Sequence, residues 1–360
     1  MLFKYNVNVI FGFKFLHMIL CQEIPASIQK GPRFLSKIWA SETSNCHNQS
    51  VMYDQDKMLE EARRMVPPLT FDSHKGQAGR IGIIGGSEEY TGAPYFSGIS
   101  ALKVGADLSH VFCMKEASPI IKSYSPELIV HPLLNSGNPV EAIKEWLPRL
   151  HSVVIGPGLG RLQSVLDVVK SLIADLRARS IPIVIDADGL FLVAQDPSII
   201  KGYHKAILTP NAVEFKRLCD VFGIKSEGTP HMGVAQLAVK KTIALSNAME
   251  GVTILHKGKY DIIAFGDEVT IVEEESSPRR CGGQGDLLSG AAGVFTYWSH
   301  QRHDSTIAPT LVAGYAASIL TKRCGHLAFK KYGRSTTTTD LINEINPTFN
   351  SLLETQEAKL

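Results

Sequence analysis

The chain has 360 residues but only six cysteines, and these lie far apart in the sequence. There is no C-x-x-C motif, and no set of cysteines and histidines has the paired spacing of zinc ligands. The sequence therefore predicts neither a zinc site nor a disulfide framework, and it favours a reducing compartment. The formal net charge is only +2, so the composition indicates no binding to nucleic acid or to an anionic membrane.

A long uninterrupted hydrophobic run is also missing. The apolar stretch Val7–Leu20 is broken by Lys14 and His17 and is too short to span a bilayer. Residues 1–50 contain five Lys or Arg residues against two Glu residues. A basic, acid-poor segment of this kind is typical of an organellar presequence, so we expect a mitochondrial protein. A secretory signal, or an uninformative tail on a cytoplasmic protein, is the alternative.

Internal repeats and low-complexity tracts are absent, and short apolar runs alternate instead with segments of helical periodicity. Continuously apolar runs are typical of strands buried on both faces of a parallel sheet. The alternation predicts a doubly wound α/β/α domain over residues 67–347, after a leader and pre-domain segment at 1–66 and before a tail at 348–360. A hairpin is expected around Gly266-Asp267. The runs cover 80–86, 108–113, 127–131, 151–156, 181–187, 205–209 and 251–256, and the helical segments cover 92–106, 161–179, 211–222, 231–248 and about 285–325.

Two common nucleotide-binding motifs are missing. No G-x-G-x-x-G follows the first strand, and no Walker A sequence occurs. In their place, GGQGD puts Gly282, Gly283 and Gly285 directly before Asp286 and a helical segment. The N–H groups of such a loop and the helix N-terminus attract an anion. A carboxylate beside bound phosphate is explained if it takes a proton from a hydroxyl group that attacks the γ-phosphate; a plain carboxylate at a helix start is the alternative.

Further glycines and polar residues follow the predicted strands, where ligands bind in open α/β sheets. The run GPGLG at 156–160 is expected to form an arch that faces an anion, unless it is a plain loop. Asp186 and Asp188 either cap the next helix or contact a metal or a hydroxyl group. Asn211 and Glu214 share a helix face, and they hold the water shell of Mg²⁺ or form a capping pair.

In this order, the motifs resemble those of the ATP-dependent NAD(P)H-hydrate dehydratases, a branch of the ribokinase-like superfamily. The resemblance covers about residues 74–320 and implies a ribokinase-like three-layer α/β/α fold with a mostly parallel central sheet. MLEEARRMVPPL is similar to the pre-domain segment of eukaryotic members. The motifs that carry the resemblance are HKGQAGRIGIIGGS, YTGAPYFSGISALKVGADLSHVFC, YSPELIVHP, VVIGPGLGR, IPIVIDADGLFLVAQ, LTPNAVEFKRL, HKGKYD and SSPRRCGGQGDLLSG.

The resemblance implies a carbon–oxygen lyase that repairs damaged nicotinamide nucleotides. ATP would phosphorylate the ring hydroxyl of the S epimer of NADH-hydrate or NADPH-hydrate, and loss of phosphate would restore the dihydronicotinamide. ADP and phosphate would be released, and Mg²⁺ is the implied cofactor. Many bacterial relatives carry a fused epimerase domain. Residues 1–66 are too few for such a domain, so a separate NAD(P)H-hydrate epimerase is the expected functional partner.

The resemblance also implies the residues of the site. Asp286 matches the catalytic base that contacts the substrate hydroxyl, and Glu214 matches a magnesium contact through water. The implied ATP contacts are Lys257, Gly258, Lys259, Tyr260, Asp261, Ser276, Ser277, Pro278, Arg279, Arg280, Cys281, Gly282, Gly283, Gln284 and Gly285. The implied substrate contacts are Gly158, Asn211, Ala212, Val213, Glu214, Phe215, Lys216, Arg217 and Asp286.

Two other functions fit the same motifs. A small-molecule kinase of the superfamily, acting on a sugar or a vitamin precursor, shares the glycine loop and the base but forms a stable phosphate ester. A catalytically silent nucleotide sensor is the second alternative, and the intact Asp286 argues against it. Taken alone, Lys257 and Gly258 fit a solvated turn as well as a nucleotide contact.

Overall fold

The structure, a computed structural model, describes residues 50–225 and 233–354. The predicted presequence therefore lies almost wholly outside the described residues, as does the end of the predicted tail. The strands are β1 (Val51–Tyr53), β2 (Arg80–Ile84), β3 (Leu108–Cys113), β4 (Ile129–Pro132), β5 (Ser152–Ile155), β6 (Ile183–Ile185), β7 (Ala206–Leu208), β8 (Thr253–His256), β9 (Asp261–Phe265) and β10 (Glu268–Val272). The helices are α1 (Gln55–Arg64), α2 (Gly92–Val104), α3 (Ser118–Tyr124), α4 (Pro139–Lys144), α5 (Gln163–Ala178), α6 (Asp188–Gln195), α7 (Ala212–Val221), α8 (Val234–Ala248), α9 (Gln284–His300), α10 (Pro309–Tyr332), α11 (Thr338–Asn343) and α12 (Ile345–Leu352).

The strands form one ten-stranded sheet in the order β1-β10-β9-β8-β7-β6-β5-β2-β3-β4. The run from β8 to β4 is parallel throughout, whereas β9 is antiparallel to both of its neighbours. The predicted hairpin is confirmed, because β9 and β10 pair on either side of Gly266-Asp267. The predicted mostly parallel α/β/α architecture is confirmed as well.

Alternate residues of the central strands enter two different cores, which explains why the strand sequences are continuously apolar. In β5, Val154 faces the layer that contains α2, α9 and α10, whereas Val153 and Ile155 face the layer that contains α5 and α6. All three side chains are fully buried. Phe295 of α9 and Leu172 of α5 fill the two opposite cores, so helices cover both faces of the sheet. No helix in the described part of the chain is both long and apolar enough to cross a membrane.

The chain before residue 67 is part of this fold, which differs from the predicted pre-domain boundary. β1 pairs with β10 at the sheet edge. Helix α1 buries Met58 and Ala62 in the core that α10 shares, and Met65, directly after the helix, is buried in the same core. Pro67-Pro68 does follow the end of the helix, but the helical spacing of those three apolar residues already commits α1 to the core.

The predicted helical segment at about 285–325 is two helices rather than one. Residues 301–308 separate α9 from α10, and Pro309 occupies the first turn of α10, where its missing N–H costs nothing. Both helices lie on the same face of the sheet. The carboxyl ends of β6, β7 and β8 meet beside the start of α9, and this edge of the sheet positions the polar residues described next.

Candidate active site

A cavity of about 560 Å³ opens at the carboxyl edge of the sheet, between the ends of β6, β7 and β8 and the start of α9. It brings together many of the predicted site residues, which are Asn211, Glu214, Lys257, Gly258, Lys259, Asp261, Ser276, Arg280, Cys281, Gly283, Gln284, Gly285 and Asp286. Asp186, a candidate metal or hydroxyl contact, also lines the cavity. The lining residues that the sequence did not predict are Ala187, Leu288, Thr321 and Lys322. The cavity therefore joins segments that are distant in the sequence.

An ion pair lies at the centre of the cavity wall. Lys257 Nζ donates to Asp186 Oδ1 at 2.8 Å, and Thr209 Oγ1 donates to the same oxygen at 2.7 Å. Burial lowers the pKa of Lys257, but the nearby carboxylates of Asp186, Glu214 and Asp286 outweigh burial and raise the pKa above its usual value. Lys257 is therefore a fixed cation in the cavity at neutral pH.

Asp286 lies in the first turn of α9. Burial, followed by the negative charge of Asp186, raises the pKa of its carboxyl group to about 8, with Lys257 acting in the opposite direction. In the described parts of the chain, Ser289 hydrogen-bonds the main-chain oxygen of Asp286, and no hydrogen bond ends on its carboxyl group. A carboxyl group with these properties is suited to exchange a proton with a ligand at neutral pH.

The glycines before Asp286 are required by close contacts. Gly283 caps α9 with φ +94, a backbone conformation that favours glycine. An added Cβ there would lie 2.8 Å from the Phe96 ring and 2.9 Å from Thr338 Oγ1. A Cβ on Gly285 would lie 3.3 Å from Lys257 Nζ, so this glycine keeps the space beside the ion pair open.

The start of α9 provides the anion-attracting groups that the sequence predicts. Thr338 Oγ1 donates to the main-chain oxygen of Gly282 at 2.6 Å and fixes the loop from the side of α11. The first N–H groups of a helix have no acceptor within that helix. Together with the helix dipole, these groups at residues 284–286 make this end of the cavity suitable for phosphate.

Asn211 and Glu214 form a capping box at the start of α7. The Asn211 side chain accepts from the N–H groups of Val213 and Glu214, each at 3.0 Å, and Glu214 Oε2 accepts from Asn211 N at 2.8 Å. Burial raises the pKa of Glu214, and the charge of Lys257 opposes that shift. Because both residues also line the cavity, the capping role and a ligand-binding role are compatible.

Asp261 has a different environment from the one expected of an ATP contact. It accepts hydrogen bonds from Gly258 N at 2.9 Å and from Ser318 Oγ at 2.7 Å, and it lies 3.2 Å from Lys322 Nζ. Lys322 Nζ also donates to the main-chain oxygens of Gly258 and Lys259. Asp261 therefore anchors the 257–261 turn to α10, and its direct contact with ATP stays a prediction.

The anion-binding role predicted for the arch at 156–160 stays a prediction, because three of its main-chain N–H groups are hydrogen-bonded within the protein. Gly156 N donates to Ile84 O, Leu159 N donates to Gly156 O, and Gly160 N donates to Asp188 Oδ2. These N–H groups already have acceptors in the protein. Gly158 packs against Tyr90, whose main-chain oxygen would lie 2.6 Å from an added Cβ. The glycines in this loop serve close packing.

Asp186 and Asp188 do not cap α6. Asp186 belongs to the ion pair, whereas Asp188 holds Gly160 N and Arg161 Nε, so each carboxylate fixes a different segment. Ala187 between them has φ +49, which is uncommon outside glycine and typical of strain stored at functional sites. No local sequence pattern predicts that backbone conformation.

The remaining predicted residues lie outside the lining of this cavity. Phe215 is buried and stacks on His256 at a centroid distance of 3.7 Å, and Lys216 pairs with Asp220 at 2.6 Å. Ser277 Oγ accepts from Arg279 N, which shapes the loop before Gly282. The predicted residues that do not line the cavity are Gly158, Ala212, Val213, Phe215, Lys216, Arg217, Tyr260, Ser277, Pro278, Arg279 and Gly282.

Lys322, Ser318 and Thr338 are site-supporting residues that sequence reasoning missed. Lys322 and Ser318 are polar residues inside an otherwise largely apolar stretch of α10, and both are buried. A buried lysine in such a helix needs a partner, which is the only signal the sequence offered. Its partner, Asp261, is identified only by the fold.

The chain is similar to known proteins of one family. Residues 81–347 match the family described as NAD(P)H-hydrate dehydratase. The chain is 61% identical over 296 residues to the ATP-dependent (S)-NAD(P)H-hydrate dehydratase of Ciona intestinalis. The matched region covers 82% of this chain and 81% of that protein. It is 52% identical over 307 residues to the Homo sapiens protein of the same name, covering 84% and 86% respectively.

Solved structures show the same fold at lower identity. A ribokinase-like superfamily protein from Enterococcus faecalis has a TM-score of 0.67 at 19% identity, covering 86% of this chain and 99% of that one. The ADP/ATP-dependent NAD(P)H-hydrate dehydratase from Bacillus subtilis, co-crystallised with ATP and Mg²⁺, has a TM-score of 0.62 at 21% identity, covering 82% and 97%. The family match covers every strand of the sheet except β1 and the first residue of β2, and it includes the glycine loop and Asp286. This chain therefore belongs to the NAD(P)H-hydrate dehydratase family.

Proposed function

We propose that this chain catalyses the ATP-dependent dehydration of the S epimer of NAD(P)H-hydrate, restoring NAD(P)H and releasing ADP and phosphate. The observation that carries the proposal is Asp286, whose carboxyl pKa is raised to about 8 at the phosphate-attracting start of α9. The names of the Ciona intestinalis and Homo sapiens relatives support the choice of substrate.

The first step is a phosphoryl transfer. Asp286 accepts the proton of the ring hydroxyl while the hydroxyl oxygen attacks the γ-phosphorus, and the bond from the γ-phosphorus to the leaving oxygen of ADP breaks. The N–H groups at the start of α9 and the Lys257 cation stabilise negative charge on the transferring group. Because the Asp286 side chain is short and lies in the first turn of α9, its carboxyl group stays close to the N–H groups that attract the phosphate.

The second step is an elimination. Phosphate is a better leaving group than hydroxide. The carbon–oxygen bond between the ring and the phosphate therefore breaks more readily than the bond between the ring and a hydroxyl group. A neighbouring ring carbon loses a proton, and the ring double bond returns. One phosphoryl transfer thus converts a slow loss of water into a fast loss of phosphate.

Mg²⁺ is the cofactor in this proposal. Glu214 lines the cavity and is placed to hold the ion through water, since Mg²⁺ keeps several of its waters in protein sites. Among residues 50–225 and 233–354, no group of three or more potential metal ligands lies together, so a water-mediated contact fits better than a full protein cage. When bound, Mg²⁺ would neutralise charge on the ATP phosphates.

A hydrate assay tests the proposal directly. Chemically hydrated NADH is incubated with the purified protein and Mg²⁺ plus ATP, ADP or no nucleotide, and absorbance at the reduced-nicotinamide band is followed. Recovery with nucleotide and none without it is the expected result. No recovery by a folded protein, or accumulation of a stable phosphate ester, would favour the small-molecule kinase instead.

Two further parts of the proposal concern the cell. A separate epimerase supplies the S epimer, so adding one to the assay should extend recovery beyond the plateau reached by this chain alone. The basic leader supports a mitochondrial location, with the cytoplasm as alternative. A fusion of residues 1–66 to a fluorescent protein should enter mitochondria; a diffuse signal would argue against this location.

A further inference from the structure

The geometry points to a phosphate-binding subsite beside the cavity, in which Arg161 and Arg217 contact the Phe191 ring and bind phosphate groups of the dinucleotide substrate. The inference rests on the proposed function for the identity of that substrate. The family resemblance implied Arg217 as a contact, whereas it assigned no role to Arg161 or to Phe191. What the structure adds is the convergence of all three.

Three separate elements bring these side chains together. Arg161 comes from the loop after β5, Phe191 from α6 and Arg217 from α7. The Arg161 guanidinium carbon lies 4.5 Å from the Phe191 ring centroid, and that of Arg217 lies 5.7 Å from it. Two like charges gathered at one ring are unfavourable by themselves, and an anion between them would offset that repulsion.

One of these two guanidinium groups forms an ion pair in the described parts of the chain, and the other does not. Arg161 Nε donates to Asp188 Oδ1 at 3.0 Å, which fixes the guanidinium through one edge and leaves its two terminal nitrogens for a ligand. In the described parts of the chain, no ion pair forms with Arg217. Glu214 and Asp220 both lie three residues from Arg217 along α7. Asp220 is paired with Lys216 at 2.6 Å, and Glu214 interacts electrostatically with Arg217 without forming an ion pair with it. Within the described residues, the ion pair of the cluster is therefore Arg161–Asp188, and the Arg217 guanidinium stays available to a ligand.

Arg161 is both oriented and accessible. Asp188 also accepts from Gly160 N at 3.1 Å, so the same carboxylate fixes the main chain next to Arg161. The Arg161 side chain is 57% exposed, and solvent reaches the guanidinium. A planar guanidinium held this way is suited to bidentate contact with a phosphate.

The cluster adjoins the cavity on the side of α6 and α7. Asp188 directly follows Ala187, a lining residue, and Arg217 lies one helical turn after Glu214, which also lines the cavity. The ATP phosphates are expected at the start of α9, a different element. The second substrate carries a pyrophosphate in both of its forms, and NADPH-hydrate carries an additional 2′-phosphate. Arg161 and Arg217 are thus placed for the dinucleotide rather than for ATP.

Kinetics of Arg161→Gln and Arg217→Gln test the inference, with Arg149→Gln as the matched control. Arg149 also lies over an aromatic ring, 5.1 Å from the Trp146 centroid. It precedes β5 and therefore lies near the amino end of that strand, away from the cavity at the carboxyl ends. Each test variant should raise KM for the hydrate roughly tenfold or more, as expected for loss of a charge-assisted contact, while KM for ATP and kcat change little. The control should leave all three constants unchanged.

The two hydrates separate the phosphate sources. An equal rise in KM for NADH-hydrate and NADPH-hydrate identifies the pyrophosphate, and a rise for NADPH-hydrate alone identifies the 2′-phosphate. Unchanged hydrate KM values in both variants, or an equal rise in KM for ATP, would overturn the subsite. Arg161→Lys keeps the charge but not the bidentate geometry, so it should give an intermediate KM if the planar group matters.

Direct binding keeps this test independent of catalysis. Titration calorimetry with NADPH and with inorganic pyrophosphate should show weaker binding to Arg161→Gln than to the wild type, at equal melting temperatures. If the wild-type protein binds NADPH through Arg161 but does not turn over the hydrate, the proposed function fails and the subsite stands. If the wild type and the variant bind both ligands equally, or neither protein binds them, the subsite inference is wrong.

Discussion

A carboxylate that accepts a proton works best when its pKa lies near the working pH, and at Asp286 burial supplies most of that shift. The pKa of Asp286 is raised to about 8, the charge of Asp186 adds to burial, and Lys257 limits the rise. Asp186 carries the hydrogen bonds from Lys257 and Thr209, whereas no hydrogen bond from the described chain ends on the Asp286 carboxyl group. In the proposed mechanism the two acids therefore have separate roles: Asp186 holds the Lys257 cation, and Asp286 exchanges the proton.

Asp286→Asn should remove turnover while leaving nucleotide binding nearly intact. An amide cannot accept the hydroxyl proton, and a loss of about 10²–10⁴-fold in kcat is typical for a general base. ATP binding depends on the loop N–H groups and Lys257, which the substitution leaves in place. Initial rates and nucleotide titration measure the two effects. Near-normal rates would remove Asp286 from its assigned role.

The same substitution should stabilise the ligand-free protein, and the gain should grow with pH. The carboxyl pKa is about 8 in the folded state against an ordinary value of 3.8, so the folded protein binds the extra proton and stability falls as pH rises from about 4 to about 8. Asparagine has no such cost. Differential scanning fluorimetry at pH 5 and pH 8.5 should show a larger melting-temperature gain for Asp286→Asn at the higher pH. An equal gain at both values would contradict the sign of the shift.

At the scale of elements, α10 holds the 257–261 turn in place, although it contributes few residues to the lining of the cavity. Lys322 and Asp261 form an ion pair in which their side chains are 7% and 6% exposed, and Lys322 also binds two main-chain oxygens of the 257–261 turn. A buried pair of this kind is costly to break because the remaining charge is left without a partner. The helix thus acts as a rigid support that holds Lys257 and Gly258 at the cavity.

Lys322→Gln should raise KM for ATP with little change in KM for the hydrate, because the turn loses its anchor while α7 is untouched. Lys330→Gln, an exposed position on the same helix, is the control and should change neither constant. Since breaking a buried ion pair costs about 3–5 kcal/mol and can prevent folding, Ser318→Ala provides a milder test, as it removes one hydrogen bond to Asp261. Equal increases in both KM values would indicate general loosening instead of a positioning role.

For the whole molecule, the sequence predicts features that depend on local patterns and misses those that depend on packing between distant segments. The strand runs, the hairpin at Gly266-Asp267 and the glycine loop before α9 follow from residues close together in the chain. The hydrogen bonds of the arch at 156–160 could not be predicted, because Ile84 and Asp188, which accept from Gly156 N and Gly160 N, are brought near only by the fold. The Lys322–Asp261 pair likewise joins positions that no local pattern connects.

The predicted domain start at residue 67 can be tested against the observed packing by two truncations. Removing residues 1–49 leaves every described element intact, so the melting temperature and activity should equal those of the full chain. Removing residues 1–66 deletes β1 and α1 and uncovers the core that Met58, Ala62 and Met65 fill. Burial of one Met side chain alone is worth about 2–5 kcal/mol when it is truncated to Ala, which corresponds to roughly 2–4 °C per kcal/mol in a large domain. The longer deletion should therefore melt at least 10 °C lower or fail to fold, by roughly that scaling. If instead it melts like the shorter one, α1 contributes no stability and residue 67 is the true start of the folding unit.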